Sequence, residues 1–258
     1  MELNLDVRRV GRVLLMAVTI VATAGLVSEL GRYVFDMPGA DYMVSVFSLS
    51  YEGNFPTWYS SAQLSVAAVL LFTIAVASRQ AGRRFIAHWF VLGAAFLYIS
   101  LDEVVTIHEK MNGWFDMDGA LYYGWIIPAG TFVLVMGLSY LPFLKHLPAR
   151  TRRRFIVAGC LYVGGALLME IPLGLWRDSA GTSANLGYAL IDFVEETMEM
   201  LGICLFITAL VDHLGGAEGK LAVSFTRAAP RPAPARKSAS PDALPPTKDP
   251  ALEGALSS

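Results

Sequence analysis

Six runs of this chain, at roughly residues 10–30, 59–78, 86–108, 119–141, 155–175 and 188–211, are long and apolar enough to cross a bilayer. At helical rise, about 20 residues span the roughly 30 Å hydrocarbon core. The third and sixth runs are polar inside, and their flanks restore the reading. The expectation is therefore an all-α fold, a polytopic membrane protein built as a bundle of six transmembrane helices. Charge agrees with this. Only 16% of the residues are charged, where soluble domains carry about a quarter.

The basic residues orient the spans. Arg8, Arg9 and Arg12 precede or open the first. Arg79, Arg83 and Arg84 separate the second from the third, and Lys145, Arg150, Arg152, Arg153 and Arg154 separate the fourth from the fifth. Arg227, Arg231, Arg236 and Lys237 follow the sixth, while the alternate connections hold little beyond Arg32, Lys110 and Arg177. Under the positive-inside rule this alternation puts both termini in the cytoplasm. It suits a multi-pass protein of the cell membrane, of the bacterial inner-membrane kind. The amino end also has the arginines, apolar stretch and "ATA" of a cleavable signal. Its apolar run continues to Leu26, however, and cleavage would leave five spans carrying the same alternation.

Two domains are expected: a membrane domain over 1–214, and a cytoplasmic tail over 215–258 whose Ala, Pro and Ser content cannot bury a core and should stay disordered. The connection from Tyr33 to Trp58 contains "ADYMVSVFSLS", which either covers helix ends or forms a lid over a site. Cys160 and Cys204 lie inside apolar runs and read as small buried hydrophobes. No basic field interleaved with aromatics is large enough for nucleic acid. Oligomeric state is not legible.

The functional signal is acidic. "SLDEVVTIHEK" (Ser100–Lys110) places Asp102, Glu103, His108 and Glu109 at the end of the third span. Asp102, Thr106 and Glu109 fall within about 60° on one helical face. Glu103 and His108 point elsewhere unless the helix ends or bends before His108. In the sixth span Asp192, Glu195, Glu196 and Glu199 occupy a wedge of about 100°. Four carboxyl groups on one stripe are costly in lipid, so the stripe should face the bundle interior, with coupled titration or a bound cation as compensation. Glu170, in "LLMEIPLG", lies at a similar depth, and Pro172 should free the carbonyl of Leu168 and kink the helix. Glu29 and Glu52 add to this outer half, which has no acidic counterpart in the inner half.

Carboxylates from several helices with one histidine favour a hard or borderline divalent cation: Mn, Fe, Ca or Zn. The donor set resembles, in general character, that of the four-helix di-iron carboxylate proteins. Those use two Glu-x-x-His pairs, whereas Glu103 and His108 are five apart, and no stretch of sequence matches. The resulting expectation is a metal-dependent hydrolase acting on a lipid or lipid-linked substrate. Asp102, Glu109, Glu170, Glu195, Glu196 and Glu199 would hold the metal, Glu103 or His108 would act as base, and Ser60 or Ser61 would position substrate. The alternatives are a cation- or proton-coupled transporter, weakened by the absence of an inner polar track, and a non-catalytic sensor or assembly factor acting through its tail.

Overall fold

Local chemistry sets the helix ends. The computed structural model describes residues 2–112, 114, 117–216 and 220–224. Helix α1 (Val7–Tyr33) starts at Asp6, whose carboxylate accepts the Arg9 N–H at 3.0 Å. A short helix α2 (Ala40–Phe47) precedes α3 (Phe55–Gln80), which is capped by the Asn54 side chain. Pro56 occupies its first turn, where a missing N–H is tolerated. Then come α4 (Ile86–Val105), α5 (Ile107–Asn112), a 3-10 turn (Gly119–Leu121) and α6 (Ile126–His146). Helix α7 (Ala149–Val163), a π turn (Gly164–Met169) and α8 (Glu170–Ala180) run on as one element. Helix α9 (Leu186–Gly215) begins on Asn185, whose side chain accepts the Tyr188 N–H at 2.9 Å.

Taking Ala149–Ala180 as one, six helices among the described residues are long and apolar enough to cross a membrane. Four of them reach or pass the expected limits at both ends, and two fall short at one end. The third stops at Val105 rather than 108. The fourth begins at Ile126 rather than 119 because Pro128 cannot donate a backbone bond and its ring clashes with the carbonyl four residues back, so it sits in a first turn.

Helix α9 is the centre of the bundle, packed by α1, α3 and α7. Ile203, Ile207 and Leu210 of α9 meet Leu64, Leu71 and Ile74 of α3 in the core, with Trp89, Phe143 and Phe155 at one end. Helix α6 is the opposite case, with only 6% of its apolar stretch buried. Small and hydroxylated residues mediate the closest approaches. Ser61 and Ser65 of α3 both bond Ser100 of α4, at 3.0 and 2.8 Å. A Cβ added at Gly165 would lie 2.8 Å from the carbonyl oxygen of Glu195, and one at Gly202 would lie 2.8 Å from the backbone nitrogen of Tyr162. At the end of the bundle bearing the arginines, Asp212 of α9 pairs with Arg150 (3.0 Å) and Arg154 (2.9 Å) of α7.

Residues 40–52 do not simply cover helix ends. The chain after α2 packs on α1 at Gly25, where an added Cβ would clash with Leu49, and Leu49 to Glu52 border a cavity of the bundle. At the other end a two-stranded antiparallel ribbon pairs β1 (Glu2–Asp6) with β2 (Lys220–Ser224), register Glu2 to Ser224. The ribbon uses residues that composition assigns to the tail. The remaining tail, 217–219 and 225–258, lies outside the described residues.

Replacing Gly165 or Gly202 by Ala is expected to destabilise the fold by about 1–3 kcal/mol, because backbone must move. Gly137→Ala, on α6 with nothing within 4 Å of the added atom, should leave stability equal or higher. Thermal unfolding of the three purified variants in one detergent checks the order.

Candidate functional site

The break in "SLDEVVTIHEK" falls at Thr106. This residue adopts the left-handed conformation (φ 57°, ψ 46°), a strained state for a β-branched side chain. Asp102 compensates for it. Its carbonyl accepts the Thr106 N–H at 2.7 Å, and its carboxylate accepts the His108 N–H at 3.1 Å. The reversal also folds the imidazole back, with Nδ1 2.8 Å from Asp102 Oδ2 and Nε2 3.7 Å from Glu52. The Trp125 ring lies 5.0 Å from the imidazole, centroid to centroid.

Glu170 enters from the opposite side. Pro172 cannot donate to the carbonyl of Leu168, and the chain accommodates it with the π turn that ends just before Glu170. Glu170 Oε1 accepts the Trp125 indole N–H at 2.9 Å. Its Oε2 is buried without a hydrogen-bond partner. Gly165, in the same turn, lets this element approach α9 at Glu195 and Glu199. Glu195 Oε2 is likewise buried and unpartnered. The two side chains are only 7% and 6% exposed.

These residues line one cavity of about 710 Å³. Glu52, Asp102, Glu103, His108 and Glu109 form one side, and Glu170, Asp192, Glu195, Glu196 and Glu199 form the other. Among the described residues that line it, none is Lys or Arg. Tyr123, Trp125, Tyr162 and Tyr188 supply aromatic faces, and Val91, Ala95, Phe132 and Val133 an apolar wall. The Tyr123 and Tyr188 hydroxyls meet at 2.6 Å. A smaller cavity of about 430 Å³ shares Ser50, Tyr51, Glu109, Asn112, Tyr123 and Tyr188, and includes Glu29 and Arg177. Glu29 is held by the Ser48 hydroxyl.

The expected metal centre is not formed. Among the described residues, no group of three or more His, Cys, Asp or Glu side chains is arranged to hold a metal ion. Ligand atoms must share one point at about 2.0–2.6 Å. Here Asp102, Glu109, Glu170, Glu195, Glu196 and Glu199 stand around a cavity far wider than that. Asp102 is moreover committed to His108, and Glu170 to Trp125. The divalent cation and the metal-activated water of a hydrolase fall together, since both required that convergence.

Of the residues assigned to catalysis, Glu103 and His108 line the cavity, whereas Ser60 and Ser61 do not. Ser61 faces α4, where its hydroxyl donates to the Ser100 carbonyl at 2.8 Å. The lining aromatics had no part in the sequence reading. Tyr188 precedes Asp192 by one helical turn, so the face of the acidic stripe could have found it. Trp125 and Tyr162 carry no such signal, because Trp125 precedes α6 and the polar residues of α7 lie in its first turns, away from Tyr162.

Residues 12–214 match the family model described as a domain of unknown function, DUF8692, and the chain belongs to that family. Comparisons with curated proteins and with solved structures return no match.

Two groups in the connecting segments set a pH response. Burial pushes Glu52 up, from 4.5 to about 7, with Glu109 adding to the shift. For His108, burial works against the charged ring, but the hydrogen bond and charge of Asp102 outweigh it, and its pKa is raised above 6.5. Both folded groups hold protons that the unfolded chain releases. Their contribution to stability is therefore full below the unfolded values and declines as pH rises, for Glu52 between about 4.5 and 7. Asp102→Asn should lower the His108 titration midpoint, and Glu52→Gln should lower it less; imidazole NMR signals against pH check both.

Proposed function

We propose that this member of the DUF8692 family is a multi-pass cell-membrane protein that binds an organic cation, an ammonium-bearing molecule, in its acidic cavity. The observation that carries the reading is the pair of buried, unpartnered carboxyl oxygens of Glu170 and Glu195 on a cavity lined by acids without Lys or Arg. Buried carboxyl groups need a compensating charge or donor. A tetrahedral ammonium suits a wide acidic site better than a metal does. It is stabilised by dispersed negative charge and by aromatic faces such as Tyr123, Trp125, Tyr162 and Tyr188, and needs no tight coordination sphere.

The arginine distribution supports the orientation. Arg79, Arg83, Arg84, Arg150 and Arg152 to Arg154 gather at one end of the helices, and the acidic cavity belongs to the other half. With the arginines cytoplasmic, the cavity serves the extracytoplasmic side of a bacterial inner membrane. His108, held by Asp102 and facing Glu52, acts as the adjustable charge at the rim of the site.

Tetramethylammonium is the minimal probe. It is expected to bind the purified protein in nanodiscs saturably, by isothermal titration calorimetry. Glu195→Gln should weaken it at least tenfold, about 1.4 kcal/mol. Binding should be weaker at pH 5 than at pH 8, because Glu52, with its pKa at about 7, loses its charge over that range. Absence of saturable binding at both pH values overturns the reading.

A further inference from the structure

The cavity is open on its apolar side. Val91 and Tyr98 of α4 and Phe132 of α6 line it, yet they are 53%, 54% and 58% exposed. Residues that line an interior space while exposing half their surface stand at a mouth. The two helices meet at the arginine-bearing end, where the Tyr140 hydroxyl donates to the His88 carbonyl at 2.7 Å and Phe143 packs edge-on to Trp89. Beyond that junction α4 packs on α3 and α6 on the π turn, with the cavity between them. The opening is a cleft between α4 and α6, running from Val91 to Asp102 over about 16 Å at helical rise.

Resting on the organic-cation reading, we infer that the ligand is a single-chain cationic amphiphile that reaches the site sideways from the bilayer, through this cleft. Its ammonium lies between Glu170 and Glu195, whose free carboxyl oxygens face no other partner. Its alkyl chain lies along Val91, Ala95, Phe132 and Val133 and points out between α4 and α6. The chemistry is complementary at both ends: acids without Lys or Arg at one, an apolar wall open to lipid at the other. Because lipid is as apolar as the cleft, the chain adds little intrinsic affinity. It must, however, lie in the cleft for the ammonium to reach the acids, so a filled cleft excludes the whole amphiphile. A chainless cation needs only the acidic end of the cavity and leaves the cleft empty.

The test compares dodecyltrimethylammonium with tetramethylammonium in nanodiscs. Ala95→Trp, which fills the cleft, is expected to weaken dodecyltrimethylammonium at least tenfold and tetramethylammonium less than twofold. A second measurement leaves the cleft open. A bromine at the chain terminus of dodecyltrimethylammonium should quench a tryptophan at Phe132→Trp more than one at Leu138→Trp. Leu138 is on the same helix and exposed, but does not line the cavity. Tetramethylammonium should relieve the excess quenching. Equal quenching at the two positions, or no selective loss in Ala95→Trp when tetramethylammonium still binds, overturns the lateral route and leaves the cation reading standing. Failure of both ligands to bind the unaltered protein overturns the cation reading itself.

Discussion

The approach of the π turn to α9 is the contact on which the site depends. At Gly165 the two backbones come so close that a methyl group would strike the Glu195 carbonyl oxygen, and at Gly202 one would strike the backbone of Tyr162. Such contacts are the kind on which helix association rests in a bilayer, where burying apolar surface gains little. That contact holds Glu170 on one element and Glu195 and Glu199 on the other, around the same space. Loosening it would leave several carboxyl groups with neither neighbours nor water.

The opposite wall is built by a different device. Thr106 ends α4 in a conformation its side chain disfavours, and Asp102 offsets this by accepting from the Thr106 and His108 backbones and orienting the imidazole. One residue thus closes the last helical turn with its carbonyl and positions the histidine at the cavity with its carboxylate, which is thereby satisfied. Glu170 divides its two oxygens differently, one on Trp125 and one free. The site therefore contains both committed and uncommitted carboxyl groups, and the uncommitted ones define what it can bind.

Helix α6 gives the assembly its asymmetry. It is tied at one end through Tyr140 and Phe143, braced by the π turn, and otherwise exposed. An element so lightly packed can border a cavity without closing it.

Much of this architecture is written locally. Apolar length produces six helices, Asn54 and Asn185 cap two of them, Pro128 and Pro172 dictate where one begins and another widens, and the stripe from Asp192 to Glu199 can only turn inward. Each follows from helical period, propensity or solvation within a few residues. The geometry of the site is not of that kind. Whether carboxyl groups on separate helices converge on a point or ring a wide space is set by helix separation to within an ångström. That separation comes from Gly165, Gly202 and the bulk of Trp125 and Tyr162, which meet only in three dimensions. The sequence by itself determined that the acids of α9 would share one face, because helical period puts Asp192, Glu195, Glu196 and Glu199 on one stripe. Only the tertiary structure decided that they enclose a cavity instead of a metal ion, because coordination requires shared distances and a stripe of residues specifies only direction.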